Sequence, residues 1–190
     1  VAVDYLARRD ASSLAVFGTG HQAEYEVMAV SEVRDIDTVL VVGRSIEKTE
    51  ALIDKLRKKG VSAKSSDAKT ACENADMIIT ATTSGTALFQ AEWVQPGTHI
   101  SAMGADKKGK QELPTELYLN AALFCDFESQ SVEIGEFQHA KNSSITDIGR
   151  ILNGMHSGRI SSTDITIFDS SGIAIQDLFI ANKLINLFEA

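Results

Sequence analysis

The stretch Leu14-Ala15-Val16-Phe17-Gly18-Thr19-Gly20-His21-Gln22-Ala23 constrains this chain more than any other. An apolar run breaks into two glycines, and the residues beyond them take up a helical pattern. This reads as a strand, a tight turn and a helix N-terminus. Glycines let a backbone approach a ligand closely, while the free N–H groups of a helix's first turn point at an anion. The spacing is G-x-G-x-x-A, the alanine-ended form of the fingerprint that cradles a dinucleotide pyrophosphate. Gly18, Thr19, Gly20, His21, Gln22 and Ala23 are therefore candidate binding residues. Two glycines in a strand-to-helix turn also occur for steric reasons alone, so the surroundings must carry the reading.

They do so by alternation. Ala23, Val27 and Val30 fall at i, i+4 and i+7, which predicts a helix with one face for a sheet. A strand is predicted over 38–42, then a helix that Ser45 can cap, carrying Leu52, Ile53 and Leu56 and closed by Gly60. Short strands are predicted over 61–63, 77–80, 98–103 and 122–125, with helices over 67–74 and around 115–119. Periodicity weakens after Phe127, where helices are predicted near 129–137 and over 145–152. A last strand over 165–168 precedes an apolar helix over 173–187. This pattern predicts an α/β fold of Rossmann type, a doubly wound, mostly parallel sheet with helices on both faces.

Composition narrows the partners. The chain has 190 residues, 44% of them hydrophobic, and carries 26 acidic against 18 basic residues for a formal net charge of -8. Its densest basic run, Lys55 to Lys59, lies at a predicted helix end, where it complements the dipole. Nucleic acid is not expected as a partner. No apolar stretch approaches the roughly 20 residues that span a bilayer, so no membrane is expected either. The two cysteines, Cys72 and Cys125, form no C-x-x-C, which suits a reduced, cytoplasmic protein. The four histidines show no metal-ligand spacing, and no metal is expected.

In open parallel sheets, ligands bind beyond the carboxyl ends of the strands. Four loops are predicted there: Gly18 to Ala23, Gly43-Arg44-Ser45, Ala81-Thr82-Thr83-Ser84, and Gly104-Ala105-Asp106 following Met103. An NAD-preferring protein usually ends its second strand in Asp or Glu, whereas an arginine suits a 2′-phosphate. Arg44 and Ser45 occupy that place, so NADP(H) is favoured, with NAD(H) still compatible. A solvent-exposed arginine before a capping serine is the plainer reading of the same pair. Asp106 has two readings also: a carboxylate that exchanges a proton with a substrate nitrogen, or an ordinary turn aspartate beside glycine.

Several segments together resemble the ornithine cyclodeaminase and mu-crystallin family. They are Tyr5-Leu6-Ala7-Arg8, the glycine stretch, Ala81 to Ser84, Glu92 to Ile100, Gly104 to Leu113 (G-x-D-x-x-G-K-x-E-L), and Phe168 to Asp177, which contains D-S-x-G-x-A-x-Q-D. The resemblance implies hydride transfer between a nicotinamide and the carbon bearing nitrogen in a small amino acid or its cyclic imine. It implies that Asp106 is the proton-exchanging carboxylate, that Ser170, Ser171 and Gly172 border the nicotinamide, and that Thr82 borders a ribose. With an NADP preference, a ketimine or pyrroline-carboxylate reductase is expected. An NAD-dependent cyclodeaminase or alanine dehydrogenase, or a non-catalytic carrier of nucleotide or small ligand, are the alternatives. The resemblance further implies a domain plan. Residues 1–13 would link to an N-terminal substrate and dimer domain outside this sequence, 14–170 would bind the dinucleotide, and 171–190 would pack on that absent domain. The fragment is expected to be inactive alone, and the whole protein is expected to be a homodimer.

Overall fold

The computed structural model describes residues 1–141 and 143–188. Its sheet begins where the apolar run predicts: β1 is Ser13–Phe17, followed by α2, His21–Ser31, and preceded by the short α1, Ala2–Leu6. β2 (Thr38–Val42), α3 (Ile46–Lys58), β3 (Ala63–Ser65), α4 (Ala68–Asn74), β4 (Met77–Thr80) and β5 (His99–Ala102) continue the alternation. β6 (Ala121–Cys125), α5 (Glu128–Ile134), β7 (Ile145–Asp147), α6 (Ile148–Leu152), β8 (Ile165–Asp169) and α7 (Ala174–Phe188) complete it. The eight strands form one sheet in the order β3-β2-β1-β4-β5-β8-β6-β7. Every pairing is parallel.

The sheet is buried on both faces because successive strand residues point to opposite sides. Leu14 and Val16 join Val39, Val41, Met77 and Ile79 under α2 and α3, where Ala23, Val27, Val30, Leu52, Ile53 and Leu56 meet them. Ala15 and Phe17 join Ile78, Ile100, Ala102 and Ile167 on the opposite face. Strands buried on two sides read as near-continuous apolar runs, which is why Val39 to Val42 and Met77 to Ile79 are legible without any alternation, while the buried Thr80 that closes β4 has its hydroxyl hydrogen-bonded to Glu112.

Helix ends account for part of the agreement. Ser45 caps α3 by accepting the Lys48 N–H at 3.3 Å, and Asp67 caps α4 by accepting that of Thr70 at 2.9 Å. At the other end of α3, Gly60 adopts φ +85° while its N–H bonds Arg57 O and the N–H of Val61 bonds Leu56 O. That pair of bonds is a Schellman closure, and it corrects one expectation: Val61 ends the helix instead of starting a strand, so β3 begins at Ala63.

Three further expectations need correction. The helix expected over 145–152 begins only at Ile148, because Ile145–Asp147 pairs with β6 in register with Leu123 to Cys125. A short apolar run does not separate strand from helix by period, and here the free edge of β6 decides. The helix expected near 129–137 stops at Ile134. Gly135 passes so close to Asp169 that a Cβ would lie 2.2 Å from its Oδ2, and a 3-10 turn, Glu136–His139, follows. Residues Thr115–Leu119, after Pro114, are also 3-10 rather than α-helix.

α1 is held at the edge opposite the helix-facing loops. Arg34, only 7% exposed, donates to the carbonyls of Val3, Asp4, Ala7 and Arg8. Arg159 donates to Leu6 O and to Thr166 Oγ1. In the same region His99 is fully buried between Thr166 Oγ1 and Ser101 Oγ, and burial, reinforced by the nearby arginines, lowers its pKa to about 3. None of the described residues in α7 is buried. No helix is long and apolar enough to cross a membrane among the described residues.

Ile78 is completely buried at the centre of the sheet, so Ile78→Ala leaves a cavity there. It should cost about 2–5 kcal/mol, read as a lowered urea midpoint with an unchanged slope.

Candidate functional site

The strands that carry the predicted loops end in step, and the first residue of each loop still belongs to the ladder. Gly18 N–H donates to Val42 O at 3.0 Å, Ala81 N–H to Phe17 O at 2.8 Å, Met103 N–H to Thr80 O at 2.8 Å and Ser170 N–H to Ala102 O at 3.0 Å. The loops after β1, β4, β5 and β8 therefore leave the sheet side by side. The chain winds outward from β1 through β2 to β3, then returns to β4 and β5 on the other side. The crevice between the ends of β1 and β4 is the switch point of the topology, where such sheets take ligands.

Glycines shape that crevice. Gly18 has φ +119°, and a Cβ there would lie 2.4 Å from Ala81 O, so the loops after β1 and β4 touch through bare backbone. Gly20 is different: nothing lies within 4 Å of where its Cβ would stand. It is the N-cap of α2 and has no side-chain cap, so the helix's first donors face open space. A cavity of about 620 Å³ opens at this point and is lined by Gly18, Thr19, Gly20, Arg44, Ser45, Ala81, Thr82 and Thr83. His21 and Gln22 are exposed beside it, with the His21 ring against Tyr25 at 4.9 Å. Ala23 is fully buried and serves the packing of α2 on the sheet.

Gly43 has no room for a side chain either, since a Cβ would lie 2.6 Å from Thr19 Cγ2 and 2.4 Å from Thr49 Oγ1. Arg44 next to it is exposed at the cavity wall together with Lys48. A larger open groove of about 790 Å³ runs along β2, β3 and α4, but it shares only Gly43 with this cavity.

On the other side of the crevice the loop after β5 carries Met103, Gly104 and Asp106. Lys110 Nζ, largely buried, lies 2.7 Å from Asp106 Oδ1 and donates to Gly104 O at 2.8 Å, while the Asp106 side chain is 63% exposed. The loop is braced from the 3-10 turn: Gly109 N–H donates to Gln138 Oε1 at 2.8 Å, and His139 Nε2 lies 2.8 Å from Lys110 O. Glu112 reaches back from the end of the same segment to Thr82 N–H at 2.7 Å and Gly104 N–H at 2.9 Å.

Ser170, Ser171 and Gly172 follow β8 and are held from α5 and the end of β6. Asp126 Oδ2 accepts from Ser170 Oγ at 3.0 Å and from Gly172 N–H at 3.2 Å. Gln130 Nε2 donates to Ser171 Oγ at 3.1 Å. Behind this loop two carboxyls are buried. Burial raises Glu136 to about 7 against the donors Leu113 N–H, Tyr118 OH and Glu112 N–H, and the Glu112 charge adds to the rise. Burial likewise raises Asp169 to about 7 against the Ser131 hydroxyl and the Glu136 N–H, with Glu136 and Asp126 adding charge. Asp169 Oδ1 has no hydrogen-bond partner among the described residues.

The model of the ornithine cyclodeaminase/mu-crystallin family matches residues 1–187. The chain belongs to that family. Within it, the iminosuccinate reductase of Paracoccus denitrificans is 34% identical over 193 residues, covering 98% of this chain and 60% of the relative. The alanine dehydrogenase of Archaeoglobus fulgidus is 35% identical over 188 residues, covering 95% of this chain and 58% of the relative. The crystal structure of the Paracoccus denitrificans iminosuccinate reductase with NAD+ superposes with a TM-score of 0.93 at 33% identity, covering 99% of this chain and 60% of that one. The chain thus spans about 60% of the length of these family members. The likeness in structure shows the Rossmann-like fold of this family.

The structure brings Gly18 to Gly20, Arg44, Ser45 and Ala81 to Thr83 around one cavity, and sets Met103 to Asp106 and Ser170 to Gly172 on the same edge. Glu112, Lys110, Asp126 and Gln130 have no task legible in the sequence. Glu112 and Lys110 lie in the G-x-D-x-x-G-K-x-E-L segment, which was their one signal. Asp126 and Gln130 follow a strand with no motif to mark them.

Glu136 and Asp169 have higher pKa values in the fold than in an unfolded chain, so the fold binds more protons between the ordinary carboxylate range and about 7. Their contribution to stability is full below that range and is lost as pH rises through about 7. The urea midpoint should therefore fall between about pH 5 and about pH 8, and Asp169→Asn should flatten the fall. A midpoint independent of pH in the wild type contradicts this.

Proposed function

We propose that the chain is the nucleotide-binding part of an NAD(P)H-dependent oxidoreductase that acts at the carbon bearing nitrogen in an amino acid or its imine. The reaction is of the ketimine or pyrroline-carboxylate reductase type, and NADP(H) is the preferred cofactor. One observation carries the reading: the open cradle at Gly20 and the Asp106–Lys110 pair stand on one sheet edge, at the switch point of the topology. The space over Gly20 and the uncapped start of α2 fit a pyrophosphate, for which close backbone approach and unpaired N–H groups are the requirements.

In this reading the first turn of α2, from His21, takes the pyrophosphate, and Thr82 and Thr83 border a ribose. Arg44, with Ser45 beside it, pairs with the 2′-phosphate; a guanidinium offers that group a planar, two-point contact. Ser170, Ser171 and Gly172 border the nicotinamide, which supplies or accepts the hydride when bound. Asp106 exchanges a proton with the substrate nitrogen, so that the nitrogen gains a proton as its carbon gains the hydride. Lys110 holds the Asp106 carboxylate at the loop, 2.7 Å away.

Residues 14–170 are then the dinucleotide domain. The apolar side chains of α7, including Leu178 and Phe179 at 68% and 71% exposure, pack on a substrate domain, and the whole protein is a homodimer. The archaeal alanine dehydrogenase structure, a dimer with bound NAD at TM-score 0.91, supports the dimer. It also supports a second reading of the cofactor, in which NAD(H) is used, as does the Paracoccus denitrificans structure with NAD+.

Calorimetry separates the two cofactor readings. NADPH should bind more tightly than NADH, and Arg44→Ala should cost NADPH roughly tenfold or more while sparing NADH. Equal affinities in the wild type overturn the NADP(H) preference, and tighter binding of NADH decides for the second reading. For the chemistry, Asp106→Asn in the whole enzyme should abolish imine reduction and leave nucleotide binding intact. Unchanged turnover removes Asp106 from its role, and nucleotide binding without turnover of any cyclic imine by the wild type favours a carrier.

A further inference from the structure

Glu112 is fully buried, yet nothing in the proposed chemistry uses it. Four donors converge on its carboxylate. Oε1 accepts the Thr82 N–H at 2.7 Å and the Thr82 hydroxyl at 2.6 Å. Oε2 accepts the Thr80 hydroxyl at 2.7 Å and the Gly104 N–H at 2.9 Å. Two of the four are backbone N–H groups, which only donate, and one sits on each oxygen. Each oxygen thus serves a different loop: Oε1 the loop after β4, Oε2 the loop after β5.

The surroundings leave no slack in this arrangement. Ser84 N–H donates to Thr82 Oγ1 at 3.1 Å, so the threonine hydroxyl is fixed as donor toward Glu112. A Cβ on Gly104 would lie 2.4 Å from Thr82 O and 2.6 Å from Glu112 Cδ, so the two loops and the carboxylate are in direct contact. Glu112 is itself anchored, because its N–H and that of Leu113 donate to the Glu136 carboxyl at 2.9 Å and 2.8 Å. A glutamate that merely satisfied strand ends would meet donors of the strands. Here three of the four donors belong to the loops.

We infer that Glu112 is a positioning residue whose two carboxylate oxygens lock the loop of Thr82 and Thr83 to the loop of Gly104 and Asp106. The ribose contact and the proton-exchanging carboxylate are thereby held in one fixed relation. What the loops touch rests on the dinucleotide reading above; the lock itself rests on the hydrogen bonds.

Glutamine tests it with little change in volume. Wherever its amide NH2 stands, it faces one of the two backbone N–H groups, so one loop loses its acceptor while the other keeps it. Glu112→Gln should weaken binding of both NADPH and NADH by roughly tenfold or more in calorimetry. It should also raise amide exchange over 82–84 or over 103–105 without raising it in β1 and β2. Ile78→Ala, destabilised in the core, should bind both nucleotides within about twofold of the wild type and so removes general instability as the cause. Wild-type affinity in Glu112→Gln, or a loss no larger than in Ile78→Ala, overturns the inference. If the variant does not fold, exchange in the wild type decides. The Thr82 and Gly104 amides should then be as slow as those of β4, and exchange at the rate of exposed Thr83 overturns the lock. If the wild type binds neither nucleotide, the dinucleotide reading fails, while loop protection lost in Glu112→Gln still supports the lock.

Discussion

A parallel sheet brings every strand's C-terminus to the same edge, and each strand must continue into a loop there. With all seven pairings parallel, the loops after β1, β2, β4, β5 and β8 emerge together. Their backbone donors have no further strand to pair with. In the first residue of four of these loops the adjacent strand still supplies an acceptor. Beyond that residue several of the acceptors are carboxyl side chains: Glu112 for Thr82 and Gly104, Asp126 for Gly172, Glu136 for Glu112 and Leu113.

Such groups are costly to bury unless they are paired. Glu112 meets the cost with four donors. Glu136 has three donors but is pushed up to about 7 by burial and by the Glu112 charge, and Asp169, with one oxygen unpartnered among the described residues, is raised similarly. The carboxyls that bridge the loops of this edge and the raised pKa values of Glu136 and Asp169 therefore have one origin, acids buried beside one another. The opposite edge is managed differently. There arginine, with several donors on one side chain, gathers the carbonyls around α1, and a neutral His99 completes the buried polar set.

Legibility followed chemistry that is local. Gly60 and Ser45 mark helix ends by conformational freedom and capping, so α3 is readable to its last turn. The apolar runs Leu14 to Phe17, Val39 to Val42 and Met77 to Ile79 are readable because burial on two faces favours an apolar residue at nearly every position. Ile145–Asp147 was not, since its state depends on whether the edge of β6 is free, a fact of the assembled sheet. Gly135 is similar: its reason is the Asp169 side chain, distant in sequence and in contact only after folding.

The alternation of strand and helix, the likeness to the family, and the placing of Gly18 to Gly20, Arg44 and Asp106 on one edge were legible from the residues alone. Each rests on short patterns that are read along the chain, and their combination, not any one of them, carried the meaning. Tertiary structure alone decided which loops touch. The close approach of Gly18 to Ala81, of Gly43 to Thr19, and of Gly104 to Thr82 and Glu112 is set by strand order and register, which place bare backbone against backbone across long stretches of chain. For the same reason Glu112, unremarkable among Lys110, Gln111 and Leu113 in the sequence, becomes the acceptor shared by two loops only once β4 and β5 lie side by side.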